Sequence, residues 1–107
     1  MTYEFDWTDF TESSLKKLNA RKEVPEDELV GFLPVKTDIG MFLVDIHYYK
    51  YDSSDKGFDL KIYKSNDMLM HTAWLDGLKD IKSATNYDRF CRRAENLIIE
   101  FLKGYYE

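Results

Sequence analysis

The residues of this chain best suited to chemistry are a carboxylate and two imidazoles. Asp45 and His47 are two positions apart in FLVDIHYYKY, so a strand there points both side chains to one face. A carboxylate beside an imidazole is the minimal general-base pair of acyl transfer, and His71 is a candidate to join it. The sequence has no serine or cysteine at a strand-to-helix elbow and no glycine-rich loop for an oxyanion. We therefore predict that the protein is not an enzyme, with a small cofactor-free enzyme using Asp45 and His47 as an alternative.

Metal and cofactor binding are not predicted. The chain has two histidines and one cysteine, without the paired spacing of structural zinc sites. His47 and His71 fall on different predicted strands, and Cys91 falls on the apolar stripe of a predicted helix, where we expect a small buried hydrophobic side chain. A single cysteine cannot form an internal disulfide, which is typical of a reducing compartment.

The charge pattern argues against nucleic acid and membrane as partners. The net charge is −5, and the acidic excess lies in residues 1–12 and 23–28. Arg89, Arg92 and Arg93 could touch phosphates, but in an acidic domain a solvated helix face is the better interpretation. No apolar run approaches the ~18–20 residues that span a bilayer, and MTYEFDW lacks the features of a signal peptide. We therefore expect a cytoplasmic protein.

A long C-terminal helix is the strongest structural signal. Thr85 or Asn86 can cap its start, and Gly104 can end it. Its apolar residues recur at spacings of three and four, which predicts one buried stripe. They are Tyr87, Phe90, Cys91, Ala94, Leu97, Ile98, Phe101, Leu102 and Tyr105.

A weaker helix is predicted at residues 8–21, with Thr8 as its cap, because only four apolar side chains fall roughly on one side of it. These are Trp7, Phe10, Leu15 and Leu18.

Four antiparallel strands are predicted between the helices, at residues 29–36, 41–51, 58–64 and 68–75. A two-residue turn at Asp38-Ile39 pairs Val35 with Phe42 and Leu29 with Tyr48. Pro34 cannot donate to a ladder, so the first of these strands should lie at an edge.

The last strand has two possible phases. We prefer the phase that buries Trp74 opposite Phe58 over the phase that buries His71. The preferred core positions are Met68, Met70, Thr72 and Trp74, and the alternative ones are Leu69, His71, Ala73 and Leu75.

The order α-β-β-β-β-α predicts one α+β domain, residues 1–107, with an antiparallel four-stranded sheet. The C-terminal helix should cover the face of Phe42, Val44, Ile46 and Tyr48. The N-terminal helix brings too few apolar side chains to cover more than part of the opposite face. That face is aromatic. It would hold Val30, Phe32, Leu43, Asp45, His47, Tyr49, Tyr51 and Tyr63.

Stiff aromatic rings with polar tips are typical of interface cores. We therefore predict a small acidic protein-binding module of the kind found among inhibitors, immunity-type proteins and accessory proteins of phages or mobile elements, with another protein, often a basic one, as partner. A homodimeric structural protein is an alternative. The predicted contact residues are Phe32, Tyr49, Tyr51, Tyr63, Glu26, Asp27 and Glu28.

Overall fold

The computed structural model describes residues 1–21, 27–50, 56–64, 68–75 and 86–107. These ranges form an α+β structure with one antiparallel sheet of five strands and two helices. Each strand pairs with its neighbours along the sequence. The elements are β1 (Tyr3–Phe5), α1 (Glu12–Asn19), β2 (Asp27–Thr37), β3 (Gly40–Lys50), β4 (Lys56–Lys64), β5 (Leu69–Leu75) and α2 (Tyr87–Tyr106).

The predicted α+β class is confirmed, but the four-stranded sheet is wrong because the N-terminal segment supplies a fifth strand. Phe5 of β1 pairs with Val35 of β2 in an antiparallel ladder. Three residues are too few to show the alternation by which a strand is recognised in a sequence. The expectation that Pro34 marks an edge strand is also wrong. Pro34 lies where β1 ends, and its carbonyl accepts the backbone N–H of Asp6 at 3.0 Å.

The β2–β3 hairpin has the predicted register beside its turn. Val35 lies opposite Phe42, as predicted. The turn at residues 38–39 is closed by Thr37, whose hydroxyl donates to the carbonyl of Gly40 at 2.8 Å. Gly40 has a φ of 136°, which L side chains rarely adopt, so the turn requires a glycine there.

Farther from the turn, a β-bulge between Leu29 and Gly31 shifts the register of β2. Glu28 therefore lies opposite Tyr48, and Leu29 lies opposite His47. The predicted pairing of Leu29 with Tyr48 is wrong. Because side chains alternate along a strand, one extra residue transfers everything beyond it to the other face of the sheet.

The long helix α2 covers the predicted face of the sheet. Asn86 caps it by accepting the N–H of Arg89 at 3.3 Å. Residues spaced by four along α2 are buried against the sheet. They are Phe90, Ala94, Ile98 and Leu102. On the sheet, the predicted β3 core residues are buried beneath it. They are Phe42, Val44, Ile46 and Tyr48.

The predicted end of this helix at Gly104 is wrong. Gly104 lies inside α2, which runs on to Tyr106. Gly104 is not among the residues with positive φ, so it forms no left-handed cap. Leu97 and Phe101, which belong to the predicted stripe, are only half-buried.

The short helix α1 begins four residues later than predicted. Thr11, not Thr8, is its cap. The Thr11 hydroxyl accepts the N–H of Ser14, and the Ser14 hydroxyl accepts the N–H of Thr11 at 3.0 Å. This reciprocal pair is a capping box. Thr8 is occupied elsewhere, since its hydroxyl donates to Asp6 at 2.6 Å.

The N-terminal segment and α1 pack on the same face of the sheet as α2. The ring of Phe10 lies 5.2 Å from that of Phe90 and 6.3 Å from that of Phe58. Trp7 donates from Nε1 to a carboxylate oxygen of Glu95 at 2.8 Å. The expectation that α1 partly covers the opposite face is therefore wrong, and the described elements form two layers.

From His71 to Leu75, strand β5 has the alternative phase, and a register shift opposite Ile62 and Tyr63 reverses it at Leu69, which lies on the side of the sheet away from the helices. Leu75, not Trp74, lies opposite Phe58. Ala73 and Leu75 are buried, whereas Trp74 points to the other face of the sheet. Burying His71 would be costly, which is why the sequence disfavours this phase. That cost does not arise, because His71 is exposed at its position on the helix side.

Candidate functional site

The sheet face opposite the helices is the candidate site, and we call it the outer face. Neither α1 nor α2 lies on it. Large apolar side chains from β2, β3 and β5 project from this face, with exposed fractions between 41% and 51%. They are Leu29, Phe32, Met41, Leu69 and Trp74. An apolar patch of this kind is a feature of contact surfaces.

The predicted aromatic contact residues differ in how exposed they are in the structure. Phe32 is exposed on the outer face, and Tyr63 is half-buried there. Tyr49 is only 4% exposed, so in this conformation its ring offers little area to a partner. Tyr51, like the acidic residue Glu26, lies outside the described residues.

The two described acidic contact residues do not share a face. Glu28 is on the helix side, where it pairs with the guanidinium of Arg21. Asp27 is on the outer face, and its carboxylate contacts Nδ1 of His47 at 2.8 Å. Neighbouring residues of a strand point to opposite faces, so Asp27 and Glu28 cannot form one acidic rim.

Sequence reasoning paired His47 with Asp45, but the structure pairs it with Asp27. The bulge causes this difference, because without it Asp27 would lie on the helix side of β2. A glycine inside a predicted strand is a known sign of a bulge. Gly31 was therefore the available signal for the pairing of His47 with Asp27.

Asp45 lies near the centre of the outer face, between Phe32 and Lys61 on the neighbouring strands. Its Oδ1 atom is buried and has no hydrogen-bond partner among the described residues. Burial raises the pKa of Asp45, and the charges of His47 and Lys61 offset part of that effect. Burial likewise raises the pKa of Asp59. A donor from outside the chain would relieve the desolvated carboxylate of Asp45.

The raised pKa of Asp45 predicts how stability depends on pH. The folded state then binds a proton more readily than the unfolded chain, so the free energy of unfolding falls as pH rises from about 4, the ordinary value, through the raised pKa. We expect Asp45→Asn to reduce this fall. Urea denaturation at several pH values between about pH 4 and pH 7 measures the free energy of unfolding of both proteins.

Asp6 provides the matched control for this experiment. Hydrogen bonds from Thr8 lower the pKa of Asp6, so its contribution to stability is present above the unfolded value and is lost as pH falls. Asp6→Asn should therefore change the pH dependence in the opposite direction. If the free energy of unfolding depended on pH equally in wild type and in Asp45→Asn, the raised pKa of Asp45 would be contradicted.

Among the described residues, no serine or cysteine lies on the outer face beside His47. Ser13 and Ser14 lie in α1 and Cys91 lies in α2, all on the helix side of the sheet. Cys91 is half-buried, and burial raises the pKa of its thiol to about 11 although a hydrogen bond with Tyr87 acts in the opposite direction. The thiol is therefore protonated at neutral pH and a poor nucleophile.

The two histidines do not converge. His47 is on the outer face, whereas His71 is on the helix side, with its ring stacked 4.4 Å from that of Phe101. Within the described ranges, no group of three or more His, Cys, Asp or Glu side chains could hold a metal ion.

No protein-family model, curated protein or solved structure matches this chain. In the part of the chain that the structure describes, no helix combines the length and the apolar character needed to cross a bilayer.

Proposed function

We propose that this protein is a small acidic, non-catalytic binding module that acts by contact with another protein through its outer face. The observation that carries the proposal is the set of apolar side chains on that face, each more than 40% exposed. Burying apolar surface against a partner is favourable by about 25 cal/mol per Å². Exposed apolar side chains gathered on one face of a folded domain are a feature of protein contact surfaces.

The polar groups of the outer face indicate the chemistry of the partner. Carboxylates of Asp27, Asp45 and Asp59 stand among the apolar side chains, with Lys61 as a nearby cation. We expect a partner whose apolar surface carries a lysine or arginine placed to donate to Asp45. Inhibitors, immunity-type proteins and accessory proteins of phages or mobile elements, acting on basic targets, are the class that such a surface suits.

Capture with matched variants tests the proposal. Phe32→Ser removes an apolar side chain from the outer face, and Ile39→Ser removes one of similar exposure, 52%, from the β2–β3 turn. We expect a protein captured from the producing cells by wild type to be captured equally by Ile39→Ser and at least about tenfold less by Phe32→Ser. Both variants should retain the wild-type melting curve.

If both variants captured equal amounts of the partner, the outer face would not be the contact surface. If wild type is instead a dimer by sedimentation at micromolar concentration, and Phe32→Ser is a monomer, the homodimeric alternative replaces binding to another protein.

Charge reversal on the two faces of β2 gives a second test. Asp27→Lys changes the charge of the outer face, and Glu28→Lys makes the same change on the helix side. With a basic partner, we expect Asp27→Lys to slow association by about fivefold or more at low salt. The Glu28→Lys variant should associate at nearly the wild-type rate, since it loses only a surface ion pair with Arg21.

Stopped-flow mixing at two salt concentrations measures these association rates. The difference between the variants should shrink as salt rises, because the Debye length falls to about 8 Å at physiological ionic strength. Equal slowing by both variants would mean that only net charge, not the outer face, steers the partner.

A further inference from the structure

A second surface lies at the free side of β5. There a groove of about 540 Å³ separates the strand from α2. Ala73 and Trp74 line the strand side, and Phe101, Gly104 and Tyr105 line the helix side. This groove opens along the edge of the sheet and is distinct from the centre of the outer face.

The backbone of β5 is suited to pairing with an extended segment. β5 is the last strand of the sheet, and β4 is its only strand neighbour in the described ranges. Sheet edges are usually protected by charged residues, proline, β-bulges or short strands. β5 has one register shift, opposite Ile62 and Tyr63, and pairs regularly from His71 to Leu75. The seven residues Leu69–Leu75, LMHTAWL, contain no charge and no proline. By contrast, β1 at the opposite edge has only three residues and carries Glu4.

On the helix side of the groove, a glycine contributes no side chain to fill the space. Gly104 lies within α2, where glycine is less favourable than alanine because its backbone loses more conformational freedom on folding. A Cβ placed on Gly104 would have no atom within 4 Å. Neither backbone conformation nor crowding therefore requires glycine here. Because Gly104 has only a hydrogen as its side chain, space remains between β5 and α2.

Aromatic rings form the ends and the wall of this space. The His71 and Phe101 rings are stacked at 4.4 Å, and Tyr105, which is 56% exposed, lies 5.7 Å from Phe101. An extended chain beside β5 would point every second side chain, about 7 Å apart, into the groove. Apolar side chains at those positions would pack against the rings.

Glu100 is the charged residue of the groove. A peptide with a lysine or arginine near Glu100 would complement it, whereas a second copy of this chain would bring a net charge of −5 and another Glu100. The charge therefore favours a segment of another protein over self-pairing.

We propose that the β5 edge and its groove bind an extended segment of another protein, which adds as a sixth strand, places alternate apolar side chains against Phe101 and Gly104, and pairs a lysine or arginine with Glu100. The main-chain pairing would supply affinity, and the groove and Glu100 would supply sequence preference. Leu69 and Trp74 of β5 also belong to the outer face, but Glu100, Phe101 and Gly104 of α2 do not, so variants in α2 test this site separately.

Selection from a library of displayed random nine-residue peptides tests this proposal, with the full chain as bait. We expect the selected peptides to converge on alternating apolar residues with one lysine or arginine. For a resynthesised peptide, backbone amide shifts should map to Leu69–Leu75 and to residues 97–105. Gly104→Leu, which fills the groove, should weaken binding at least about tenfold, whereas Gly104→Ala, which adds one methyl group, should bind nearly as wild type.

Charge variants provide the specificity test. Glu100→Lys should weaken binding of the basic peptides about tenfold, and selection on it should yield acidic peptides. Glu4→Lys makes the same charge change at the far edge of the sheet and should have little effect. Phe32→Ser should bind as wild type, so this site is tested separately from the outer face.

Three results would overturn the proposal. They are peptides that do not converge, equal binding by wild type and Gly104→Leu, and amide shifts confined to the outer face. If wild type sediments as a dimer that Gly104→Leu dissociates, the occupant is a second copy of this chain and not another protein.

Discussion

Replacing Phe90 with alanine is expected to lower the free energy of unfolding by about 3–5 kcal/mol. Phe90 is only 2% exposed. Its ring lies 4.9 Å from that of Phe58, 5.2 Å from that of Phe10 and 6.1 Å from that of Trp7. It therefore joins α2, the sheet and the N-terminal segment, and its removal leaves a cavity that three separate elements would have to close.

Phe101→Ala is the matched control, since it makes the same chemical change in the same helix. If Phe101 and Leu97 belonged to one fully buried stripe, truncating either of them to alanine would cost about 2–5 kcal/mol. Both are only half-buried beside the open groove, so we expect less than half the loss of Phe90→Ala. Urea denaturation of the two variants measures this difference. Equal losses would mean that the groove is closed and Phe101 belongs to the core.

Replacing Gly31 with alanine is expected to destabilise the protein by about 1–3 kcal/mol. A Cβ on Gly31 would lie 2.9 Å from Cδ1 and 3.2 Å from Cβ of Phe10, closer than packed atoms allow. Phe10 cannot easily move aside, because it is fully buried between Phe58 and Phe90. The strain should therefore fall on the β2 bulge.

A double-mutant cycle identifies the contact responsible. Phe10→Leu shortens the opposing side chain, so the loss from Gly31→Ala should be smaller by about 0.5–3 kcal/mol in that background. Gly104→Ala, which adds the same methyl group where nothing lies within 4 Å, should stabilise the protein by roughly 0.5–1 kcal/mol. If Gly31→Ala left the free energy of unfolding unchanged, the close packing of Phe10 on β2 would be refuted.

The Gly31 substitution also bears on the outer face. The bulge beside Gly31 brings Asp27 to His47 and turns Leu29 outward. If strain at Gly31 removes the bulge, Asp27 moves to the helix side. The pairing of Asp27 with His47 would then be lost.

The elements that the amino-acid sequence predicts correctly are those whose pattern is long and regular. The stripe from Phe90 to Leu102 predicts α2, and the alternation from Phe42 to Tyr48 predicts which face of β3 lies beneath it. Such patterns repeat over several turns or pairs, so one local irregularity does not change them.

The short N-terminal elements were decided by packing. β1 has three residues and α1 has eight, too few for periodicity to define them well. The side of the sheet to which α1 belongs depends on how Phe10 fits against Gly31, Phe58 and Phe90. These residues are far apart in the chain.

The composition of the outer face, by contrast, does not follow from the local sequence pattern. The bulge in β2 places Asp27 and Leu29 on the outer face and Glu28 on the helix side. The phase of β5 places Trp74 on the outer face and not in the core. The physical reason is the two-residue period of a strand, since a shift of one residue reverses every side chain beyond it. Local sequence shows that a strand alternates, and contacts between distant residues determine which set of side chains faces out.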